Sequence, residues 1–301
     1  AHVESVNTAR IQSHLSQGKV VVVTGFQGID KQGDITTLGR GGSDMTAVAL
    51  AVSLRASECH IYTDVDGVYS ADPNRVPDAR RLNTITLSEM QQMASLGAKV
   101  MQQQALDYCY QHPVPLRVLS TFSDSVGTCI VAQQSAVEGR FSGVSCQAKQ
   151  AQITLCDVSD VEGVERALKT MMTSAAIDID LIVNSVGAKQ HCFDVHFTVD
   201  SDDYPRALLL AHELAQSCGV VAVRNDPDIA KLSLIGSNIQ SPSNLASRCL
   251  AVCEQADIAV KLVVSTAMRI TMVIKPQQLT QAARLLHGSF IEHLAENAAN
   301  L

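Results

Sequence analysis

Apolar positions in the first part of the chain come in short runs separated by glycine-bearing stretches. Lys19-Val20-Val21-Val22-Val23-Thr24-Gly25 is a continuous apolar run closed by a glycine, the pattern of a strand buried on both faces of a parallel sheet. Phe26 to Gly42 reads as a long loop, and Ser43-Asp44 as the cap of a helix from Met45 to about Ala56. Cys59-His60-Ile61-Tyr62-Thr63 and Pro115-Leu116-Arg117-Val118-Leu119 are further strands, and Asp64 to Arg81, with Gly67, Pro73 and Pro77, is loop. Thr86-Leu87-Ser88-Glu89 is a capping box. It opens a helix with Met90, Met93, Ala94, Gly97, Val100 and Met101 at three- and four-residue steps, which places Gly97-Ala98-Lys99-Val100 inside that helix. The segment is α/β.

Beyond Val131 the pattern changes. Gln133 to Gly143 is polar and rich in small residues, and reads as a linker. An internal repeat follows. Gln152-Ile153-Thr154-Leu155-Cys156 matches Lys231-Leu232-Ser233-Leu234-Ile235, and the apolar alternation from Ala176 to Val183 matches that from Asp257 to Val264. The offset is 79 residues between Leu155 and Leu234 and 81 between Leu181 and Leu262. Val195–Val199 followed by Arg206–Gln216 has its counterpart in Arg269–Ile274 followed by Gln278–Phe290. Two copies of a βαββαβ unit are predicted, a duplicated small domain rather than a solenoid. The division expected is 1–132, a linker at 133–150, and copies at 151–229 and 230–301.

Composition narrows the function classes. The 301 residues suggest about two domains, and 46% apolar against 18% charged residues excludes a disordered chain. A net charge of -7 argues against a nucleic-acid partner. No run of eighteen apolar residues and no basic-to-apolar leader occurs, so no membrane span or secretion signal is expected. Nine cysteines, an odd number without a C-x-x-C pair, point to the cytoplasm. Cys249 and Cys253 share a helix face and read as buried thiols rather than zinc ligands. The chain opens at Ala1 without Met, which suggests a fragment or a processed product.

Three stretches carry candidate chemistry. Leu38-Gly39-Arg40-Gly41-Gly42-Ser43-Asp44 joins glycines, which let backbone N–H groups approach an anion, to a helix N-terminus. Arg40 offers a bidentate fork for a carboxylate or phosphate, and Asp44 a group to hold a metal or orient cations. The other reading is an ordinary strand-to-helix loop; a Walker A motif is excluded because its G-K-[ST] ending is missing. Thr63-Asp64-Val65-Asp66-Gly67-Val68-Tyr69, with Asp72-Pro73, lies past a strand's carboxyl end, where α/β sheets bind ligands. Asp64 or Asp66 would accept from a ribose hydroxyl or reach a metal, and the alternative is a solvated turn. Lys99 is either a phosphate contact or a solvent-facing charge.

Taken together, Gly25-Phe26-Gln27-Gly28, Thr36 to Asp44, Ile61 to Tyr69 and Leu96 to Val100 resemble aspartokinase in order and spacing, and the repeat resembles that family's two ACT domains. The likeness covers essentially the whole chain. It implies an amino-acid-kinase fold, a parallel-sheet αβα sandwich present here in part, followed by two ferredoxin-like βαββαβ ACT domains. It implies transfer of the ATP γ-phosphoryl, with Mg²⁺, to the side-chain carboxylate of L-aspartate. Arg40, Gly41, Gly42 and Ser43 would bind aspartate, with Arg40 and Asp44 organising charge around the transfer. Thr63, Asp64, Tyr69, Asp72, Pro73, Asn74 and Lys99 would line the nucleotide site. Phosphoryl transfer needs positioning and charge neutralisation, which such residues supply. The departures are a missing Lys-Phe-Gly-Gly segment, Asn74 where an arginine usually follows Asp-Pro, and Met101-Gln102-Gln103 in place of Leu-His-Pro. The expectation is that these 301 residues alone do not catalyse the reaction.

By the same resemblance the repeats bind an amino-acid effector, lysine or threonine, and join the chain into a homo-oligomer. Asp160, Gly163, Asp178, Asp180 and Asn184 are the effector candidates of the first copy. The second copy has Ser243-Asn244 at its turn and Val264-Ser265-Thr266-Ala267-Met268 where an acidic residue is usual, so fewer effector sites are expected there. His191, Asp194 and His196 suggest a metal, but alternation separates His191 from the other two, and they read as exposed strand residues. The alternative to a kinase is a non-catalytic regulatory or assembly subunit; a kinase of another acidic substrate is a third reading.

Overall fold

A computed structural model of the chain describes residues 3–39, 41–98, 100–132, 141–237, 239 and 241–292. The first part comprises α1 (Ala9–Leu15), the hairpin β1 (Gln27–Ile29) and β2 (Ile35–Thr37), α2 (Gly42–Leu54), β3 (Cys59–Thr63), β4 (Thr84–Thr86), α3 (Leu87–Ser95), α4 (Gln103–Gln111), β5 (Leu116–Ser120) and β6 (Thr128–Val131). Four of these strands form a sheet of order β3-β5-β6-β4. The pairs β3–β5 and β4–β6 are parallel, and β5–β6 is antiparallel. Val48, Met90, Leu106, Ile61, Val118 and Ile130 from both helices and strands share its core.

The capping box forms as predicted. Thr86 Oγ1 accepts from the Glu89 N–H at 3.2 Å, and Glu89 Oε2 accepts from the Thr86 N–H at 3.0 Å. Other expectations are corrected. Residues 19–25 are not a strand: β3 is the edge of the four-stranded sheet, no ladder takes up the valine run, and Val20 and Val22 are each 92% exposed. A doubly buried strand needs such neighbours. The loop from Phe26 to Gly42 contains the β1–β2 hairpin. Helix α2 begins at Gly42, with Ser43 and Asp44 in its first turn and Gly41 as its cap. Helix α3 stops at Ser95, because Gly97 takes a left-handed φ of 96°, and α4 starts afresh at Gln103. Leu96 and Met101 are nevertheless buried, so the apolar spacing continues across a break in the backbone.

The second part comprises β7 (Phe141–Val158), α5 (Val161–Ser174), β8 (Leu181–Val186), β9 (Phe193–Asp200), α6 (Tyr204–Cys218), β10 (Ala222–Gly236), α7 (Pro242–Gln255), β11 (Val260–Ser265), β12 (Arg269–Ile274) and α8 (Leu279–His287). The repeated order of strand, helix, strand, strand, helix is present. Its strands form one antiparallel sheet of order β11-β12-β10-β7-β9-β8. Strands β7 and β10 each run through both copies. Ala222–Asp226 pairs with Cys156–Gln152, completing the first copy, and Lys231–Gly236 pairs with Gln147–Phe141, completing the second. The register shifts on either side of the Ile229–Gln150 pair mark the crossing.

Residues 141–150, read as linker, are therefore strand. Their small polar residues are not solvated but bonded: Ser142 Oγ donates to Glu89 Oε1, and Ser145 Oγ to the Leu96 carbonyl at 2.7 Å. Ile153, Leu168, Phe197 and Leu214 centre the first copy, and Leu232, Cys249, Met272 and Leu286 the second. On the helix-free face, Leu181 of β8 clusters with Ile229 and Val273, so the sheet curls until its far strands approach. Cys249 and Cys253 are buried as expected, and burial pushes the Cys249 thiol up to about 12. Among the described residues no helix is long and apolar enough to cross a membrane.

Thr86→Ala removes one half of the capping box and a hydroxyl partner of buried Glu89. It should lower stability by about 1–2 kcal/mol in urea denaturation, with Thr86→Ser recovering most of the loss.

Candidate active site

The glycine loop meets the segment after α3. Gly41 has a left-handed φ of 73°, and a Cβ there would overlap the Gln102 side chain. The Gln102 N–H in turn donates to Asp44 Oδ2 at 3.3 Å. Gln102 therefore docks on the N-terminus of α2. Arg40 and Lys99, on which much of the expected chemistry rests, lie outside the described residues. Burial raises the Asp44 carboxyl above its ordinary value, against the pull of the Gln102 N–H and the Ser43 hydroxyl. The loop is fastened from the other side as well. Thr46 Oγ1 donates to the Gly42 carbonyl at 2.8 Å and accepts from the Phe26 N–H at 3.2 Å, and the Leu38 N–H donates to the Phe26 carbonyl at 2.9 Å.

The second cluster sits at the carboxyl ends of the parallel pair β3–β5. The Thr121 N–H donates to the Thr63 carbonyl at 2.8 Å, and Thr63 Oγ1 donates to Asp64 Oδ1 at 3.1 Å. A cavity of about 490 Å³ opens beside them, lined by Tyr62, Leu119 and residues 120–125. Those last residues were not among the sequence candidates. The available signal was a run of hydroxyls and Asp124 directly past a strand's carboxyl end. Asp66 is a brace within the loop: its carboxylate accepts from the Tyr69 hydroxyl at 2.8 Å and from Arg81 Nη1 at 3.2 Å. The Tyr69 hydroxyl is held above its ordinary pKa by that bond. Asp72 Oδ1 accepts from both the backbone and the side-chain nitrogen of Asn74 at 3.0 Å, which leaves Asp72, Pro73 and Asn74 together on an exposed turn.

The effector candidates separate into two groups. Asp160 caps α5, accepting from the Gly163 N–H at 3.0 Å, and Asn184 Nδ2 donates to Glu165 on the same helix at 2.8 Å. Asp180 instead reaches the helix-free face. There it accepts from Lys231 Nζ at 2.6 Å and pairs with Arg269 at 3.4 Å, while Asp178 stays exposed. Lys231 is 1% exposed, and burial lowers its pKa against the opposing pull of Asp180. The reading of Asp194 and His196 as exposed residues is corrected. Asp194 is buried against Arg224, and His196 is half-buried between Thr154 and Ser185. The reason is that the curled sheet covers part of its polar face.

Residues 1–120 match the amino acid kinase family, and residues 232–290 an ACT domain. The aspartokinase of Pseudomonas aeruginosa is 40% identical over 293 residues, covering 96% of this chain and 71% of that protein. The chain belongs to the aspartokinase family. Among solved structures, Escherichia coli aspartokinase III in complex with aspartate and ADP superposes with a TM-score of 0.75 at 26% identity. That match covers 93% of this chain and 63% of the other. The complex of the same enzyme with lysine and aspartate gives 0.74 at 25%, covering 94% and 63%. The chain thus spans less than two thirds of these aspartokinase structures.

Asp44 makes a stability cost testable. Its folded pKa lies above the unfolded value, so the native state holds a proton longer, and stability is lost as pH rises through that interval. At neutral pH the half-buried carboxylate is a net cost. Asp44→Asn keeps an acceptor for the Gln102 N–H, and it should raise the melting temperature at pH 7 while leaving it unchanged near pH 3.

Proposed function

We propose that the protein acts as an aspartokinase, transferring the γ-phosphoryl of ATP to the side-chain carboxylate of L-aspartate to give 4-phospho-L-aspartate. This is the first step toward lysine, threonine and methionine. The observation that carries the reading is the joint contact of Gly41 and Asp44 with Gln102. It supports the reading because Gln102 follows the Leu96–Val100 motif in sequence, in a chain 40% identical to an aspartokinase.

In this reading the N-terminal turn of α2, with Arg40, Gly41, Gly42 and Ser43, receives aspartate. Helix-end N–H groups and a guanidinium suit its carboxylates. Thr63, Asp64, Tyr69, Asp72, Pro73, Asn74 and Lys99 hold the nucleotide beside the cavity at the ends of β3 and β5. Mg²⁺ arrives with ATP and neutralises phosphate charge. Asp44 suits the role of organising those cations, because its carboxylate is half-buried, raised in pKa, and without a salt bridge among the described residues. The E. coli complexes with aspartate, ADP and lysine support the substrate and effector classes. Lysine or threonine would act through the two ACT copies, 151–229 and 230–301, which would also join subunits. Asp180 enters that role only by exchanging its bond to Lys231, whereas Asp160, Gly163 and Asn184 lie together at α5.

The 301 residues contain no Lys-Phe-Gly-Gly segment, and each lost phosphate donor costs about 10²- to 10³-fold in rate. By themselves they should show no aspartate-dependent ATP turnover in a coupled assay; ordinary kinase turnover would refute that expectation. In the full-length protein, Arg40→Ala should raise the aspartate KM about tenfold or more and leave the ATP KM nearly unchanged, and Lys99→Ala should do the reverse. Equal shifts in both constants for both variants would overturn the division of the site.

A further inference from the structure

The exposed turn Asp72-Pro73-Asn74 is flanked by residues that are not its own support. Ser70, Ala71 and Val76 are buried, and Ala71 and Val76 belong to the apolar cluster of the second ACT copy, beside Leu279, Ala282 and Leu286 of α8. Three polar contacts fix the same junction. Ser70 Oγ shares a hydrogen bond with His287 Nε2 at 2.8 Å, both residues being 1% exposed. Arg284 Nε donates to the Arg75 carbonyl at 2.7 Å, and Arg75 Nη1 donates to Thr280 Oγ1 at 3.4 Å. The backbone of Ser70 is held as well: its carbonyl accepts from the Val144 N–H at 2.7 Å, on the half of β7 that completes the second copy. Within its own domain the turn has the Ser70–Arg80 backbone bond, a bond of 2.9 Å from the Arg80 N–H to Ser70 Oγ, and the Asp72–Arg75 and Asp72–Val76 bonds. These close the loop locally, and the contacts with α8 and β7 seat it against the second copy.

From this geometry we infer that His287, at the end of α8, is a positioning residue for the nucleotide loop, so that the second ACT copy sets nucleotide affinity through the Ser70–His287 bond. The inference rests on the assignment of Asp72, Pro73 and Asn74 to the nucleotide site. Helix α8 is packed on β7 and β10, which both copies share. A shift of the regulatory sheet therefore moves α8, and the buried bond transmits that movement to the loop. A buried polar pair suits this role because leaving either partner unmatched is costly, which makes the linked positions discrete.

The test is calorimetric binding of MgADP and of L-aspartate to the full-length protein and its variants, with melting temperatures recorded for each. His287→Leu should weaken MgADP about fivefold and leave aspartate unchanged, and His287→Gln, whose amide both donates and accepts and so suits Ser70 Oγ in either direction, should recover most of the affinity. Ser70→Ala should also weaken MgADP, and the double variant Ser70→Ala/His287→Leu should be no weaker than Ser70→Ala alone. If His287→Leu does not fold, Ser70→Ala and His287→Gln carry the comparison. Unchanged MgADP binding in His287→Leu and Ser70→Ala, while Lys99→Ala and Asn74→Ala weaken it, overturns the positioning role and leaves the nucleotide site standing. Unchanged binding in Lys99→Ala and Asn74→Ala removes the nucleotide assignment and the inference with it. Equal losses for MgADP and aspartate, or additive losses in the double variant, show general loosening and also overturn the role.

Discussion

The antiparallel pairing of β7 with β10 is the contact on which the regulatory half depends. Each strand is long enough to serve both copies of the repeat, and each copy lacks its fourth strand without the other. A βαββαβ unit short of that strand would expose an edge and one side of its apolar core. The crossing near Ile229 and Gln150 is thus where two small domains become one sheet. The curl that follows brings Asp180 to Lys231 and Arg269, so a lysine with almost no exposure has an acidic partner. Such a pair is a weak source of stability, but breaking it would leave a buried charge, which holds the two faces in one arrangement.

The same strands tie this sheet to the amino-acid-kinase part of the chain. The front of β7 meets α3 through Ser142 and Ser145, and Ile235 of β10 lies in the core of the four-stranded sheet. Ala71 and Val76 make the reciprocal crossing into the second copy. The border is therefore a set of interdigitated elements, and the turn at Asp72 to Asn74 is held from each side.

What could be read from the sequence was mostly what is local. The Thr86–Glu89 box, β3, β5, β9 and β12 depend on spacing within a few residues, and they formed where spacing placed them. The errors arose where a remote partner decides. Val20 to Val23 have the composition of a buried strand, but composition does not supply a neighbouring strand. Ser142 and Ser145 have the composition of a linker because their partners, Glu89 and Leu96, lie about fifty residues away. Gly97 disguised a helix end, since apolar spacing survives one left-handed residue. At the candidate site, the glycine loop and the acidic turn were visible as motifs. The contact of Gln102 with the glycine loop, and the wall formed by 120–125, are products of tertiary packing.

The interlaced strands also set an order of events during synthesis. As the chain leaves the ribosome, the first copy is complete once the front of β10 has emerged, because β7, β8 and β9 are already made. The front half of β7 must wait longer. Its partner, the back half of β10, comes 84 to 95 residues later, and the second copy's core closes only when β12 and α8 follow. Throughout that interval Phe141 and Val144 belong to an unfinished edge, the kind of exposed strand that invites association with other nascent chains. The turn at Asp72 to Asn74 shares the delay, since the helix carrying His287 is translated after all six strands of the sheet.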